Sequence, residues 1–368
     1  MHEYQRVKDG LLRQIRCGKL APRQQIAPVR QLSKDLGISL VTVHRAVREL
    51  IQEGHLIAHD RQGVFVSDVQ FGKDSKVGLL LAMPVESMHA GNMFGPLFTE
   101  VQRRLLQQGA AVVSMECMQS TPTGTLLKPL ASIASLGLRG AILVRILDLP
   151  YIASLVQLRL PIVATDVDAT DAGAHSVTFD NLGSAFALTR HLIARGHKRI
   201  LFVGGVRKSS EGDDRWRYDM VVKERGNGFR LALEGAGLAS DLQVYCAKTR
   251  HETSFREAVD AALAQREPFT AVVADSLLPV RNALHQAGRD DLEVVGWVSA
   301  ERDPEPLLQG SVVGLAVCDF TALGELAVAT LEASLEQPGG AVRLERLKPR
   351  LLLAPAGAPA GVVAGGSA

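Results

Sequence analysis

Cysteine and aromatic residues are scarce in this chain. Its 368 residues include 4 cysteines, and aromatic side chains make up only 5% of the composition. The cysteines stand far apart, without a CxxC pair and without histidines at metal-ligand spacing; they are Cys17, Cys117, Cys246 and Cys318. This spacing argues against a disulfide framework and against a zinc site. We therefore expect a cytoplasmic protein that needs no metal and no other cofactor.

A long apolar run is also missing. No segment reaches the roughly 18 uninterrupted apolar residues of a membrane-spanning helix. The first twenty residues carry seven charged side chains, which do not fit the apolar core of a secretory signal. The sequence therefore predicts a soluble chain with no membrane partner.

The chain as a whole has little excess of one charge sign over the other, but its first segment has an excess of positive charge. The formal net charge is only +2, whereas residues 1–70 hold 11 basic against 7 acidic side chains. The rest of the chain is thus slightly acidic. The positive charge that suits a phosphate backbone is concentrated near the amino terminus.

The apolar pattern of residues 1–68 indicates a winged helix-turn-helix. A first helix is followed by a second that Gly37 ends, and Ser39 is expected to cap a third. Two short β-type runs, 55–58 and 64–66, are joined by a polar turn and predict the wing. A polar, glycine-containing linker follows at residues 69–75.

From residue 76 to residue 355 the pattern changes to repeated strand-then-helix units. Such alternation predicts an α/β module of parallel sheets flanked by helices, with right-handed crossovers. Two series of units indicate two lobes. We expect lobe 1 at about 76–177 plus 319–340, and lobe 2 at about 178–318 plus 345–355. The small-residue tail, 356–368, is predicted to be disordered.

The first 70 residues resemble the GntR-type winged-helix family. The resemblance rests on the runs 18–22 (GKLAP), 27–32 (APVRQL), 36–39 (LGIS), 42–47 (TVHRAV) and 53–54 (EG). It implies a domain that binds double-stranded operator DNA.

Residues from about 76 to 355 resemble the LacI/GalR-type effector module, which is similar to periplasmic sugar-binding proteins. The resemblance is carried by 98–101 (FTEV), 176–181 (SVTFDN), 191–200 (HLIARGHKRI), Arg225 before 228–229 (GF), and 294–297 (VVGW). The combination resembles the arabinose-repressor type, in which a GntR reader is fused to a LacI-type sensor. It implies a homodimer that binds a small-molecule effector.

The candidate DNA contacts follow from the position of a recognition helix, whose first turns enter the major groove. They are Ser39, Leu40, Val41, Thr42, His44 and Arg45 on that helix, Arg30 at the groove edge, Lys34 and Arg48 at phosphates, and Arg61, Gln62 and Gly63 at the wing tip. For each basic side chain taken alone, a solvated position on a helix face is the better interpretation than a DNA contact. For His44, contact with DNA and no contact are equally good interpretations. The set within the motif favours DNA contact.

The candidate ligand contacts lie where a two-lobed sensor binds its ligand, at the carboxyl ends of the strands. The resemblance implies that Arg225 clamps hydroxyls or a carboxylate, with an ion pair between the lobes as the alternative. Asp275 is expected to accept hydrogen bonds, with Ser276 beside it. Asp180 is either a ligand contact or a simple helix N-cap.

Three aromatic side chains, Phe94, Phe98 and Trp297, are expected either to wall the cleft or to belong to the core, and Trp297 is the first choice for a wall. Val298 and Cys318 stand where sugar-binding relatives usually carry Asp and Gln. Two missing polar contacts indicate a less hydroxylated ligand or a cleft no longer used for sensing.

These observations predict a DNA-binding transcription regulator, a repressor whose operator binding is modulated by a sugar-like or related metabolite. One alternative is a regulator with a degenerate cleft, whose second module only dimerises. Another is an enzyme on the same doubly wound fold. The run 202–205 (FVGG) is not a GxGxxG or P-loop pattern, and no Ser-His-Asp or HExxH constellation stands out, so we expect no enzymatic activity.

Overall fold

The computed structural model describes fourteen segments of the chain, namely residues 3–16, 19–21, 23–52, 55–59, 62–66, 75–89, 92–121, 124–205, 220–238, 244–247, 252–264, 269–301, 303–337 and 339–355. The predictions for Arg61, for linker residues 69–74 and for the tail 356–368 lie outside these segments.

The first domain consists of three helices and a two-stranded antiparallel wing. Its elements are α1 (Glu3–Arg16), α2 (Val29–Leu36), α3 (Leu40–Gln52), β1 (Leu56–His59) and β2 (Gly63–Val66). Apolar side chains from α1, α3, both strands and the intervening turns form one buried cluster, and the partly buried Val29 and Leu32 of α2 pack against it. The buried members are Val7, Leu11, Ile26, Ile38, Val43, Ala46, Val47, Leu50, Leu56 and Val66. The predicted winged helix-turn-helix is confirmed.

The turn between α2 and α3 is held by specific contacts. Gly37 ends α2 with φ of 64°, a left-handed conformation that glycine adopts without a steric penalty. The Ser33 hydroxyl donates to the carbonyl of Ile38 at 2.6 Å. Ser39 Oγ accepts a hydrogen bond from the backbone N of Thr42 at 3.2 Å, so Ser39 caps α3. These contacts fix the orientation of the first turns of α3.

The base of the wing is shaped by Gly63. Its φ is 112°, and a Cβ at this position would lie 2.5 Å from Nε2 of Gln25. That Nε2 donates to the carbonyl of Gln62 at 2.7 Å, while Gln25 pairs with β2 as an isolated bridge. A side chain at position 63 would therefore strain the backbone and displace the Gln25 amide at the base of the wing.

The remaining elements alternate strand and helix. The strands are β3 (Lys76–Leu81), β4 (Ala111–Glu116), β5 (Met118–Thr121), β6 (Gly124–Leu127), β7 (Leu138–Val144), β8 (Ile162–Thr165), β9 (His175–Phe179), β10 (Ile200–Gly205), β11 (Val244–Ala247), β12 (Ala271–Ala274), β13 (Glu293–Ser299), β14 (Val312–Cys318), β15 (Leu344–Leu347) and β16 (Arg350–Leu353). The helices are α4 (Gly95–Gln107), α5 (Leu130–Ala134), α6 (Leu149–Val156), α7 (Asn181–Ala194), α8 (Met220–Glu234), α9 (Glu252–Leu263), α10 (Leu277–Gln286) and α11 (Phe320–Glu336).

Two six-stranded sheets define two lobes. The first has the order β15-β9-β8-β7-β3-β4, and all its neighbours are parallel. The second has the order β11-β10-β12-β13-β14-β16, with only β16 antiparallel to its neighbour. Strands β5 and β6 form a separate hairpin. The predicted two-lobed α/β module is confirmed, and the carboxyl ends of its strands supply the loops between the lobes.

The chain passes between the lobes three times. It leaves the first lobe between β9 and α7, returns between β14 and α11, and leaves again between β15 and β16. Asp180 and Asp319 cap α7 and α11 at the first two passages, accepting from the backbone N of Gly183 at 2.8 Å and of Ala322 at 2.9 Å.

One expected lobe boundary needs correction. Residues 345–355 were expected in lobe 2, but β15 pairs parallel with β9 at the edge of the first sheet. The physical reason is continuity: α11 packs on α4 in the first lobe, so the chain that follows it reaches that sheet first. Only β16 joins the second sheet. Across the described segments, every helix is too short or too polar to cross a bilayer.

Candidate functional site

The outer face of α3 is the candidate nucleic-acid interface. Val43, Ala46, Val47 and Leu50 are buried, which turns the opposite face outward. That outward face carries Leu40, Val41, His44, Arg45 and Arg48, and 79% of Val41 is exposed. An exposed apolar side chain on a polar helix face suits contact with a thymine methyl group.

Arg45 is held by contacts within the domain. Its guanidinium carbon lies 4.2 Å from the centroid of the Tyr4 ring, and its Nε lies 3.3 Å from Oε1 of Glu49. Lys8 of α1 reaches the other oxygen of Glu49 at 3.5 Å. Arg45 thus joins α3 to α1, while its side chain remains mostly exposed.

The other expected DNA contacts surround this face. Arg30 and Lys34 are exposed on α2, and Arg48 is exposed one turn beyond Arg45 on α3. The Ser39 and Thr42 hydroxyls lie 2.7 Å apart and partner each other. Gln62 and Gly63 are exposed at the start of the wing strand. DNA contact by all these residues stays a prediction.

The candidate ligand site is a cavity of about 740 Å³ between the lobes. Its first-lobe wall contains Met88, Asn92, Met93, Gly95, Pro96, Thr99, Glu100, Phe320 and Thr321. Its second-lobe wall contains Arg225, Asp275, Ser276, Leu277, Leu278, Pro279, Trp297, Val298, Ser299, Glu301, Leu307 and Cys318. The size lies within the usual range for small-molecule sites.

Arg225 is the centre of a buried polar network in this cavity. Its Nη1 donates to Oδ1 of Asp275 at 2.8 Å and to the Asp275 carbonyl at 3.1 Å. Its Nε donates to Oδ1 of Asn181 at 3.0 Å. The guanidinium carbon lies 4.2 Å from the Trp297 ring centroid, and Trp297 Nε1 donates to the hydroxyl of Ser184 at 3.1 Å. The network fixes the orientation of Arg225 and of the Trp297 ring.

Beside this network, Val298 and Cys318 form an apolar part of the second-lobe wall. Val298 is 9% exposed and Cys318 is 3% exposed. Burial raises the pKa of the Cys318 thiol to about 12, so it stays neutral. These two side chains offer a ligand packing and little hydrogen bonding.

Three of the expected ligand contacts lie elsewhere. Phe94 and Phe98 belong to the hydrophobic core of the first lobe, where Phe94 meets Phe320 edge-on at 5.1 Å. Asp180 caps α7, and none of the three lines the cavity. The reason is local geometry: α4 begins beside the cleft, but its buried face carries Phe98 into the core, and the first turn of α7 takes up the carboxylate of Asp180.

Several lining or supporting residues were missed by sequence reasoning. Asn181, which directly follows Asp180, accepts a hydrogen bond from Arg225. The Asp-Asn pair after a strand is the sequence feature that could have identified it. Burial raises the pKa of the Glu301 carboxyl, with a smaller contribution from Asp319, yet nothing in the local sequence marks Glu301. Ser299 Oγ is buried without a hydrogen-bond partner among the described residues.

A second Arg-Asp pair lies on the first lobe, at the ends of β7 and β8. Arg145 Nη1 is 2.7 Å from Oδ2 of Asp166, and both residues have left-handed backbones, with φ of 62° and 65°. Non-glycine residues adopt this conformation only when the surrounding contacts impose it. The pair was also missed, because two separate strand ends give no shared sequence signal.

Comparison with known protein families gives two matches in separate parts of the chain. Residues 3–66 match the family of bacterial regulatory proteins called the gntR family. Residues 189–353 match the periplasmic binding protein-like domain.

Curated relatives match shorter stretches. The chain is 35% identical over 65 residues to a histidine utilization repressor of Pseudomonas putida, which is 18% of this chain and 26% of that protein. It is 30% identical over 131 residues to the HTH-type transcriptional regulator MalR of Staphylococcus xylosus, which is 35% of either chain. The chain therefore spans about a quarter to a third of the length of the curated relatives it matches.

Solved structures resemble the second module in fold. A LacI family transcriptional regulator from Enterococcus faecium with bound ribose has a TM-score of 0.59 and 17% identity, covering 78% of this chain and 100% of that one. Taken with the winged helix-turn-helix and the two-lobed fold, these matches identify a gntR-type regulatory domain at residues 3–66 and a periplasmic binding protein-like domain at residues 189–353.

Proposed function

We propose that this chain is a sequence-specific DNA-binding transcription regulator, a repressor whose operator binding changes when a small molecule occupies the cleft. One observation carries the proposal: an exposed helix-turn-helix face and an interlobe cavity of about 740 Å³ occur in the same chain. The first suits duplex DNA, and the second suits a small ligand.

The DNA-binding part of the proposal is supported by the chemistry of the α3 face. Val41 is apolar and exposed, and Arg30, Lys34 and Arg48 are exposed cations around it. Contacts to phosphates position a protein on DNA, whereas contacts to base edges select the sequence. We assign the cations to the first task and Val41, with its neighbour His44, to the second.

The regulatory part is supported by the position of the cavity. Its walls belong to different lobes, so a ligand that contacts both favours one arrangement of the lobes. A ligand shifts an equilibrium only by its difference in affinity for the two states. In the homodimer that we propose, such a shift changes the spacing of the two α3 helices, and with it the fit to two half-sites. The ribose in the Enterococcus faecium structure supports a small molecule as the effector.

A second candidate function is favoured by one specific observation. Arg225 already donates three hydrogen bonds within the chain, two from Nη1 to Asp275 and one from Nε to Asn181. A cleft whose main polar group is already partnered fits a module that only dimerises. The two candidates differ in whether any compound that occupies the cleft alters operator binding.

The experiment starts with the purified full chain and fragments of its own genome. Selection followed by footprinting is expected to recover fragments with two related half-sites, bound with an affinity that falls as salt rises. Arg48→Ala is expected to weaken this binding, and Arg190→Ala, which removes an exposed cation from α7, serves as the control. Equal binding to all fragments contradicts the proposal.

A further inference from the structure

We infer that the cleft selects a hydroxylated amine, a molecule whose protonated amino group pairs with the carboxylate of Glu301. This inference rests on the proposed function, since it assumes that the cleft binds the effector. It is carried by the polar groups that line the cavity: among the described residues, one carboxylate is left without a cation, and several hydroxyls are left without a hydrogen-bond partner.

Three carboxylates line the described part of the cavity, and two of them are already paired. They belong to Glu100, Asp275 and Glu301. Asp275 forms the buried ion pair with Arg225, which is the one cation in that described lining. Glu100 accepts hydrogen bonds of 2.7 Å from the Nε atoms of two arginines that lie one turn further along α4. Glu301 is therefore the lining carboxylate whose charge remains unbalanced.

The surroundings of Glu301 favour a positive partner. Partial burial raises the pKa of its carboxyl, and the charge of Asp319 raises it further, whereas hydrogen bonds from the α4 arginines lower the pKa of Glu100. Lys348 and Arg350 line a separate cavity together with Asp319. An ammonium group beside Glu301 would supply the missing positive charge, and a ligand carboxylate at the same place would be repelled.

Four hydroxyl groups on the two walls have no hydrogen-bond partner within the described segments. Thr99 and Thr321 lie on the first lobe, and Ser276 and Ser299 lie on the second. Ser276 makes no capping bond to α10, and Ser299 Oγ is buried. A hydroxyl both donates and accepts a hydrogen bond, so the four together suit a ligand that carries several hydroxyls of its own.

Arg225 offers one further donor to an uncharged oxygen. Its Nε and Nη1 donate within the chain, but its Nη2 has no partner among the residues described. Because Asp275 balances the charge of the guanidinium, this edge suits a ligand hydroxyl and does not require an anion. Arg225 is 8% exposed, so a ligand that bonds Nη2 satisfies a donor to which water has little access.

Apolar side chains separate these polar groups. Met88, Leu277, Val298 and Phe320 line the cavity, and all four are at least nine-tenths buried. They suit the carbon skeleton of a small ligand, and the water that such packing excludes would otherwise weaken the ion pair. The site thus pairs one negative charge with hydroxyls and an apolar floor, which matches an amine that also carries hydroxyls.

The test uses two pairs of probes on the full chain, at about pH 7 in an amine-free buffer, where alkyl amines are protonated. Tris(hydroxymethyl)aminomethane is compared with pentaerythritol, in which a hydroxymethyl group replaces the ammonium group. 1-Amino-1-deoxy-D-glucitol is compared with D-glucitol. Isothermal titration calorimetry measures binding, and each amine is expected to bind at least about fivefold more tightly than its neutral partner.

Glu301→Gln keeps the shape of the side chain and removes its charge. It is expected to weaken the binding of both amines about fivefold and to leave the binding of both neutral polyols unchanged. Glu305→Gln, which removes an exposed carboxylate outside the cavity, is the matched control and should keep the preference for amines. Thermal unfolding of each variant verifies that it is folded.

The outcomes separate this inference from the proposed function. A neutral polyol that binds as tightly as its amine overturns the inference and leaves a regulator gated by another molecule intact. A preference that Glu301→Gln leaves unchanged, or that Glu305→Gln removes equally, overturns the role of Glu301. If none of the four probes binds at about 100 mM, the inference fails, while footprinting of the same preparation reports separately on DNA binding.

Discussion

Arg225 and Asp275 form an ion pair on the wall of the cleft, with Nη1 of Arg225 2.8 Å from Oδ1 of Asp275 and side-chain exposures of 10% and 0%. Arg225 lies on α8 and Asp275 directly follows β12, so the pair joins a helix to the sheet of the second lobe. The same arginine packs on Trp297 and therefore serves the fold as well as the cavity.

Arg225→Met is expected to destabilise the second lobe, because it leaves the Asp275 carboxylate buried without its cation. The expected loss in the free energy of unfolding is about 3 kcal/mol. Urea unfolding of the full chain, followed by circular dichroism, measures it. Arg256→Met is the control: its pair with Asp260 is 3.9 Å long and more than half exposed, so the loss should stay below about 0.5 kcal/mol. Equal losses would contradict a structural role for the buried pair.

Arg48→Ala is expected to weaken binding to all DNA sequences alike, since the side chain is assigned to a phosphate. Because each of the two subunits of the proposed homodimer carries one Arg48, the slope of log affinity against log salt should fall in magnitude by about 2. Fluorescence anisotropy with a selected operator and a scrambled duplex measures both quantities. A change in sequence preference without a change in salt slope would mean that Arg48 contacts bases instead.

Gly63→Ala is expected to destabilise the first domain more than Gly37→Ala. Both positions have positive φ, but only at Gly63 does the added Cβ meet another atom, Nε2 of Gln25 at 2.5 Å. We expect losses of about 2 and about 1 kcal/mol respectively. Thermal unfolding monitored by helix content gives the comparison. Restoration of stability by adding Gln25→Ala to Gly63→Ala would identify the clash as the cause.

Stability is expected to depend on pH through Glu293. Two hydrogen bonds of 2.6 Å from Arg195, with a further one from His197, lower the pKa of the Glu293 carboxyl to about 2. A depressed folded-state pKa stabilises the protein above the ordinary value near 4.5, and this contribution is lost as the pH falls from 4.5 towards 2.

The measurement compares the wild-type chain with Glu293→Gln. The wild type should lose on the order of 1 kcal/mol more than the variant between about pH 5 and about pH 3, after allowance for solvent screening. Glu257→Gln, an exposed change on α9, should follow the wild type. Parallel curves for wild type and Glu293→Gln would show that the pair does not contribute.

The spacing of apolar residues along the sequence was sufficient to predict the helices, the strands and the core residues of the first domain. Val43, Ala46, Val47 and Leu50 follow the helical period, and all four are buried because local periodicity alone decides which face of a helix is apolar. The same helical period places Val41 and Arg48 on the outward face of α3. The fold class of the second module followed equally from the alternation of strands and helices.

Only the tertiary structure determines which residues line the cleft. Asp180 and Asn181 are adjacent in the chain, yet the first caps α7 and the second holds Arg225, 44 residues away in the sequence. Phe98 belongs to the core and Glu301 to the cavity, although neither position is marked locally. The physical reason is that periodicity is a short-range property, whereas a cavity is bounded by residues from separate strands whose distances only the packed lobes determine.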